Sequence, residues 1–220
     1  MKKGVVNNKF ILVLLLLVSL LIVSSSFNYA VAETEYAVFA GGCFWWMEAP
    51  FEKLDGVIEG ISGFMGGEKV NHRYEEVASG STNHLEAVKI KYDPNKISYA
   101  RLVEVFWQQI DPTDSGGQFV DRGQQYTTAI FYANQEQEEI AIKSKEFLEQ
   151  TSIFSGTIVT DIRPAKEFYA APKYHQDYYK KSTISYKFYR FRSGRDQYLD
   201  DIWTEENLKL VDKISELTAN

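Results

Sequence analysis

The only cysteine of the chain lies in the run Gly41-Gly42-Cys43-Phe44-Trp45-Trp46-Met47-Glu48. Two glycines precede the sulfur and three large aromatic rings follow it. Paired glycines let the end of a strand turn sharply into a helix. The first helical turn would then aim unpaired N–H groups, and the positive end of the helix dipole, at Cys43. Such a setting favours thiolate over thiol and can hold a cysteine well below its free pKa of about 8.5. One reading is therefore a nucleophilic sulfur. The other is an inert cysteine buried among core aromatics. The local residues leave both open.

Glu86 is the second residue that could do chemistry. Within 84–92 it shares its parity with Val88, Ile90 and Tyr92, whereas Lys89 and Lys91 take the other face. Side chains alternate across a strand, so an inward apolar set carries Glu86 inward too. A buried carboxyl keeps its proton to higher pH and can pass it to a reacting oxygen. The alternative leaves Glu86 at the strand end, paired with a lysine.

Other candidates carry less. His72, His84 and His175 show no ligand spacing, and one cysteine argues against structural zinc. Cys43, His175 and Asp177 could form a thiol-hydrolase triad, although a surface histidine in a tyrosine-rich tail is the simpler reading of His175. Asp111, Asp114 and Asp121 lack the calcium-loop pattern. Arg190, Arg192 and Arg195 read as a small solvated basic patch, and Trp107 as core.

These residues need elements to position them. An apolar strand over 36–40 leads into the glycine pair, and a helix follows from 43 to about 53. Phe44, Met47 and Phe51 have helical spacing there. Pro50 should kink or restart that helix, because it removes the bond to Trp46. Strands are expected over 57–64, 84–92, 125–132 and 157–162, and a short helix within 71–77. Ser98 caps a helix bearing Leu102, Val105 and Phe106. Asn134 with Gln137 caps another. The glycine-rich loop 113–124 is a natural site wall. After Pro164 little period is left until an amphipathic helix over about 205–217. Strands alternating with helices predict a mixed α/β sandwich in a single domain.

Composition sets bounds. The 220 residues are 45% hydrophobic, 25% charged and 15% aromatic, with a formal net charge of −6. That is globular and argues against a nucleic-acid protein. Lys2, Lys3 and Lys9 precede an apolar run over 10–23, and Ala30-Val31-Ala32 fits a cleavage site. Residues 1–32 are thus expected to be a signal peptide, with a periplasmic or secreted mature chain. An uncleaved N-terminal anchor is the rival. In an oxidising compartment a solitary cysteine cannot staple the fold.

Several motifs together resemble the A-type peptide-methionine sulfoxide reductases. They are Gly41-Gly42-Cys43-Phe44-Trp45, Gly66-Gly67, Tyr74-Glu75-Glu76-Val77, Ser79-Gly80, His84-Leu85-Glu86-Ala87-Val88, Tyr92-Asp93-Pro94, Asp111-Pro112-Thr113, 121–126 and 174–178. The resemblance implies an α+β fold, a two-layer sandwich with a ferredoxin-like mixed sheet, flanking helices and an irregular C-terminal tail. It implies a catalytic domain over 33–204, leaving 205–220 as a helical extension. It also implies that Cys43 attacks the sulfur of methionine S-sulfoxide, free or in proteins, while Glu86 protonates the oxygen with help from Tyr74 and Tyr126. Phe44 and Trp45 would hold the methyl group, and Asp121 would order the pocket. No metal or prosthetic group is implied. Trp46, Met47, Phe64 and Ile110 depart from the family pattern. With no second cysteine, the resulting sulfenic acid must be reduced by an external thiol, thioredoxin-like or glutaredoxin-like. A monomer is expected, with no nucleic-acid partner. The rival functions are a thiol hydrolase or transferase built on Cys43 and His175, and a secreted module that binds methionine-rich proteins.

Overall fold

The structure, a computed structural model, describes residues 34–68 and 73–218. The expected signal peptide lies outside the described residues, as do Asn71 and His72. No helix among the described residues is long and apolar enough to cross a membrane.

Strand β1 (Glu35–Gly41) feeds helix α1 (Phe44–Glu52) and strand β2 (Val57–Met65). Helix α2 (Tyr74–Ala78), strand β3 (Leu85–Tyr92) and helix α3 (Tyr99–Trp107) follow. The two-residue strands β4 (Gly117–Gln118) and β5 (Asp121–Arg122) pair with each other. A 3-10 turn (Gln124–Tyr126) leads to β6 (Thr128–Tyr132) and α4 (Gln135–Glu149). Strands β7 (Asp161–Pro164) and β8 (Tyr169–Ala170) complete a six-stranded sheet ordered β7-β6-β1-β3-β2-β8. Only the β6–β7 pair is parallel. The run β1-α1-β2-β3-α3-β6, with central order β6-β1-β3-β2, is the ferredoxin-like split βαβ arrangement.

The strand pattern decides which residues meet the helices. Phe39 of β1, Phe64 of β2, Val88 and Ile90 of β3 and Ile130 of β6 share one core with Met47 and Phe51 of α1 and Phe106 and Trp107 of α3. Val38, Ala40, Leu85, Ala87 and Phe131 point to the opposite face, under Ala165 and Phe168. Ser98 Oγ accepts the Arg101 N–H at 3.1 Å, and Asn134 Oδ1 accepts the Gln137 N–H at 2.9 Å, so both expected caps form.

Some local expectations change. Helix α1 runs through Pro50 to Glu52. The carbonyl freed by the proline, that of Trp46, accepts instead from Arg190 Nη1 at 3.3 Å. The strand expected over 157–162 starts only at Asp161, and 124–126 winds into the 3-10 turn. The segment with little period folds as three short helices, α5 (Tyr178–Lys181), α6 (Thr183–Arg192) and α7 (Arg195–Ile202). Neither α5 nor α6 has a fully buried residue, so neither carries an apolar stripe that periodicity could reveal. The last helix, α8 (Glu205–Val211), tightens into a 3-10 turn at Asp212–Glu216. Val211 and Ile214 are fully buried in the main core.

Candidate active site

Cys43 stands where β1 becomes α1. Gly42 takes φ +88, a value that L side chains rarely adopt, and a Cβ there would meet Gln118 at 2.7 Å. Cys43 is the N-cap of α1, and the next N–H, that of Phe44, donates to Glu86 Oε2 at 3.1 Å. The Trp45 N–H and the Glu86 carboxyl both act on the Cys43 side chain. The antiparallel pairing of Phe39 with Val88 brings the end of β1 level with Glu86 in β3. Glu86 is only 1% exposed. The inward parity read from the sequence is therefore the observed one, and the alternative of an exposed strand-end pair with lysine fails.

The electrostatics differ from expectation at the sulfur. Burial raises the Cys43 pKa well above its usual value, and the charges of Glu86 and Asp121 add to the rise. The Trp45 N–H and the Arg195 charge oppose it without winning. The resting group is thus a thiol. Desolvation at the sulfur outweighs one turn of helix N–H groups. Burial also lifts Glu86 to about 8, against the Phe44 N–H that lowers it, so the carboxyl holds its proton at neutral pH. Tyr74 is raised to about 12 and Tyr126 is raised as well, each by burial first and then by Glu86 and Cys43. Both phenols stay protonated as donors. Burial raises Asp121 in β5, while the Trp46 indole and the Arg195 charge lower it.

A cavity of about 400 Å³ opens over the sulfur, lined by Cys43, Trp45, Trp46, Val120, Asp121, Phe188, Tyr189, Arg192 and Ser193. Trp46 Nε1 donates to Asp121 Oδ2 at 3.1 Å. This bulky residue therefore anchors the acid rather than hanging free at the mouth. Trp45 stacks on Tyr178 with ring centres 3.8 Å apart, and its Nε1 donates to His175 Nδ1 at 3.1 Å. Phe44 is almost fully buried, against Phe64 and His175 at 5.9 and 5.2 Å. Phe44, Glu86, Tyr74 and Tyr126 do not line the cavity. The last three act on Cys43 from within electrostatic reach.

Three readings of single residues change here. His175 is 2% exposed, so it is not a surface histidine. Its Nδ1 is taken by Trp45, and the Asp177 carboxylate pairs with Lys180 at 2.8 Å, so no hydrolase triad assembles. Arg195 is fully buried, and Arg190 binds the Trp46 carbonyl, so two members of the supposed solvated patch turn inward. The three aspartates of the calcium reading are held apart by separate partners, Asp111 by Thr113, Asp114 by Arg122 and Asp121 by Trp46. Glu48, Glu52 and Asp177 do converge, but Ser62, the Asp177 N–H, Tyr179 and Lys180 occupy their oxygens.

A family model described as peptide methionine sulfoxide reductase matches residues 35–207. The chain belongs to this family. Peptide methionine sulfoxide reductase MsrA of Bacillus velezensis is 52% identical over 173 residues, covering 79% of this chain and 98% of the relative. The protein of the same description from Listeria monocytogenes serotype 4b is 52% identical over 169 residues, covering 77% and 96%. Among solved structures, methionine sulfoxide reductase A of Corynebacterium diphtheriae has a TM-score of 0.61 at 34% identity, covering 69% of this chain and 76% of that one. Mxr1 from Saccharomyces cerevisiae in reduced form gives 0.62 at 29%, covering 72% and 91%. Within the family pattern, the departures at Phe64 and Ile110 are packing positions here, since both side chains are fully buried.

Proposed function

We infer that the chain reduces methionine S-sulfoxide, free or in proteins, to methionine through the sulfur of Cys43 with Glu86 as proton donor. The observation that carries this reading is the hydrogen bond from the N–H of Phe44, the residue next to Cys43, to the buried Glu86 carboxyl, which is held protonated. The Cys43 sulfur attacks the sulfoxide sulfur as Glu86 gives its proton to the sulfoxide oxygen. The S–O bond then breaks, the oxygen stays on Cys43 as a sulfenic acid, and methionine leaves. The thiol proton of Cys43 replaces the one Glu86 gave up, so one thiol and one sulfoxide become one sulfenic acid and one thioether. Tyr74 and Tyr126 add hydrogen-bond donors for the oxygen, and Trp45 offers an apolar wall for the methyl group. Asp121, anchored by Trp46, shapes the pocket. Phe44 supports the site from the core side and gives its N–H to Glu86.

The chain has one cysteine, so no internal disulfide can follow. An external thiolate attacks the sulfenic sulfur, water leaves, and a mixed disulfide on Cys43 forms. A second thiol resolves it, which suits a thioredoxin-like or glutaredoxin-like dithiol donor. Phe188 and Tyr189 are each 53% exposed at the cavity wall and give a polypeptide substrate or a donor an apolar surface to rest on. The leader composition supports export to a periplasmic or extracellular setting. The deciding experiment is turnover of methionine S-sulfoxide with a dithiol reductant. Cys43→Ser should abolish it. Acylation of Cys43 by a thioester, without sulfoxide turnover, would replace this reading with a hydrolase.

A further inference from the structure

Arg195 is the side chain that neither the packing nor the reaction above accounts for. It has no exposure, and its guanidinium faces the Phe119 ring at 4.6 Å. Phe119 is held at φ 56, a left-handed value unusual for a phenylalanine. Nη2 donates to the Gly41 carbonyl at 3.1 Å and Nη1 donates to the Gln109 carbonyl, while Nε has no partner. Among the described residues no carboxylate lies within ion-pair distance of it. A buried cation without a counter-ion is costly, and one retained in that state is expected to meet its partner at some step. The guanidinium packs so tightly on the glycine pair that a Cβ at Gly42 would lie 2.9 Å from Nη2. Gly42 is the residue before the nucleophile.

We propose that Arg195 is a positioning residue of the reaction, whose guanidinium, lodged against Gly41 and Gly42, supplies the positive charge that the Cys43 thiolate pairs with once its proton has left. The proposal rests on Cys43 being the nucleophile. The groups acting on Cys43 are Glu86 from β3, Asp121 from β5, the phenols of Tyr74 and Tyr126, and Arg195 from α7. Arg195 alone of these brings a positive charge. Its own pKa is lowered to about 10, by burial first and then by the Arg190 charge, while Asp121, Cys43 and Tyr186 act in the opposite sense. Glu86 is protonated at neutral pH, so Arg195 and Asp121 are the charges that remain when Cys43 ionises. The Cys43 anion would otherwise add a second negative charge beside Asp121.

The test measures alkylation of the single cysteine by iodoacetamide against pH, in the full chain and in Arg195→Gln and Arg195→Lys. Loss of the charge in Arg195→Gln should raise the alkylation midpoint by about one pH unit and slow single-turnover methionine formation at neutral pH about tenfold. Arg195→Lys, which keeps a charge but not the fork, should stay closer to the parent midpoint. Equal slowing in both variants with an unmoved midpoint would reduce Arg195 to a structural clamp and overturn the proposal. Because either variant can fail to fold, the unaltered chain labelled at arginine Nε gives an independent readout. One slowly exchanging Nε–H resonance should move with the alkylation midpoint and stay still in Cys43→Ser, and a stationary resonance in the parent chain would also refute the proposal. Sulfoxide turnover persisting in Cys43→Ser would instead sink the functional reading itself.

Discussion

At the residue scale, Glu86 links strand parity to chemistry. Its carboxyl is inside because Val88, Ile90 and Tyr92 are inside, and it is protonated because it is inside. Glu86→Gln keeps the shape and removes the acid, so single-turnover methionine formation should fall by about 10²-fold or more, in the range of lost general acid catalysis. The pH profile should share that origin. With Glu86 at about 8, the acid form and the rate should decline as pH rises past that value, and Glu86→Gln should erase the limb. Stopped-quench assays across pH check both. Cys43 and Glu86 were legible in the sequence from a unique thiol, a glycine pair and a face assignment. Arg195 and His175 were not. Each comes from a segment without apolar period, and burial of a charged or ring side chain there is decided by distant neighbours such as Phe119 and Trp45.

At the element scale, the join between α1 and the C-terminal helices fixes the site wall. Pro50 cannot donate to the Trp46 carbonyl, and Arg190 fills that acceptor while its Nε holds Asp196. The sequence shows the lost bond but not the group that replaces it, which lies 144 residues away. Arg190→Ala should cost about 1.5–3 kcal/mol of stability, as loss of a charge-assisted hydrogen bond does. It should also raise amide exchange selectively over α6 and α7. Exchange rising evenly through the sheet would show that the join is not what holds these helices. The caps at Ser98 and Asn134 and the pattern of β3 were readable because they are local, each cap joining a donor and an acceptor three residues apart. The ferredoxin-like sheet came only from the family resemblance and not from local pattern, because β1–β3 and β1–β6 pairing joins segments separated by whole helices.

At the scale of the whole molecule, buried carboxyls set the response to pH. Glu86 at about 8 and Glu48 at about 7 each hold a proton more tightly in the folded chain than at the ordinary value of 4.5. Between those limits the unfolded chain binds fewer protons, so stability should fall as pH rises from about 4.5 towards 8, and Glu48→Gln should flatten part of that decline. Thermal melts over that range test it, and a midpoint that rises with pH would contradict it. The fold, the single thiol and the missing internal disulfide come together in one prediction. Intact mass and methionine release are measured after mixing the chain with methionine S-sulfoxide in the absence of any reductant. One methionine per chain, with one oxygen retained on Cys43, is the predicted result. Methionine formed with no oxygen on Cys43, or formed equally by Cys43→Ser, would contradict the account.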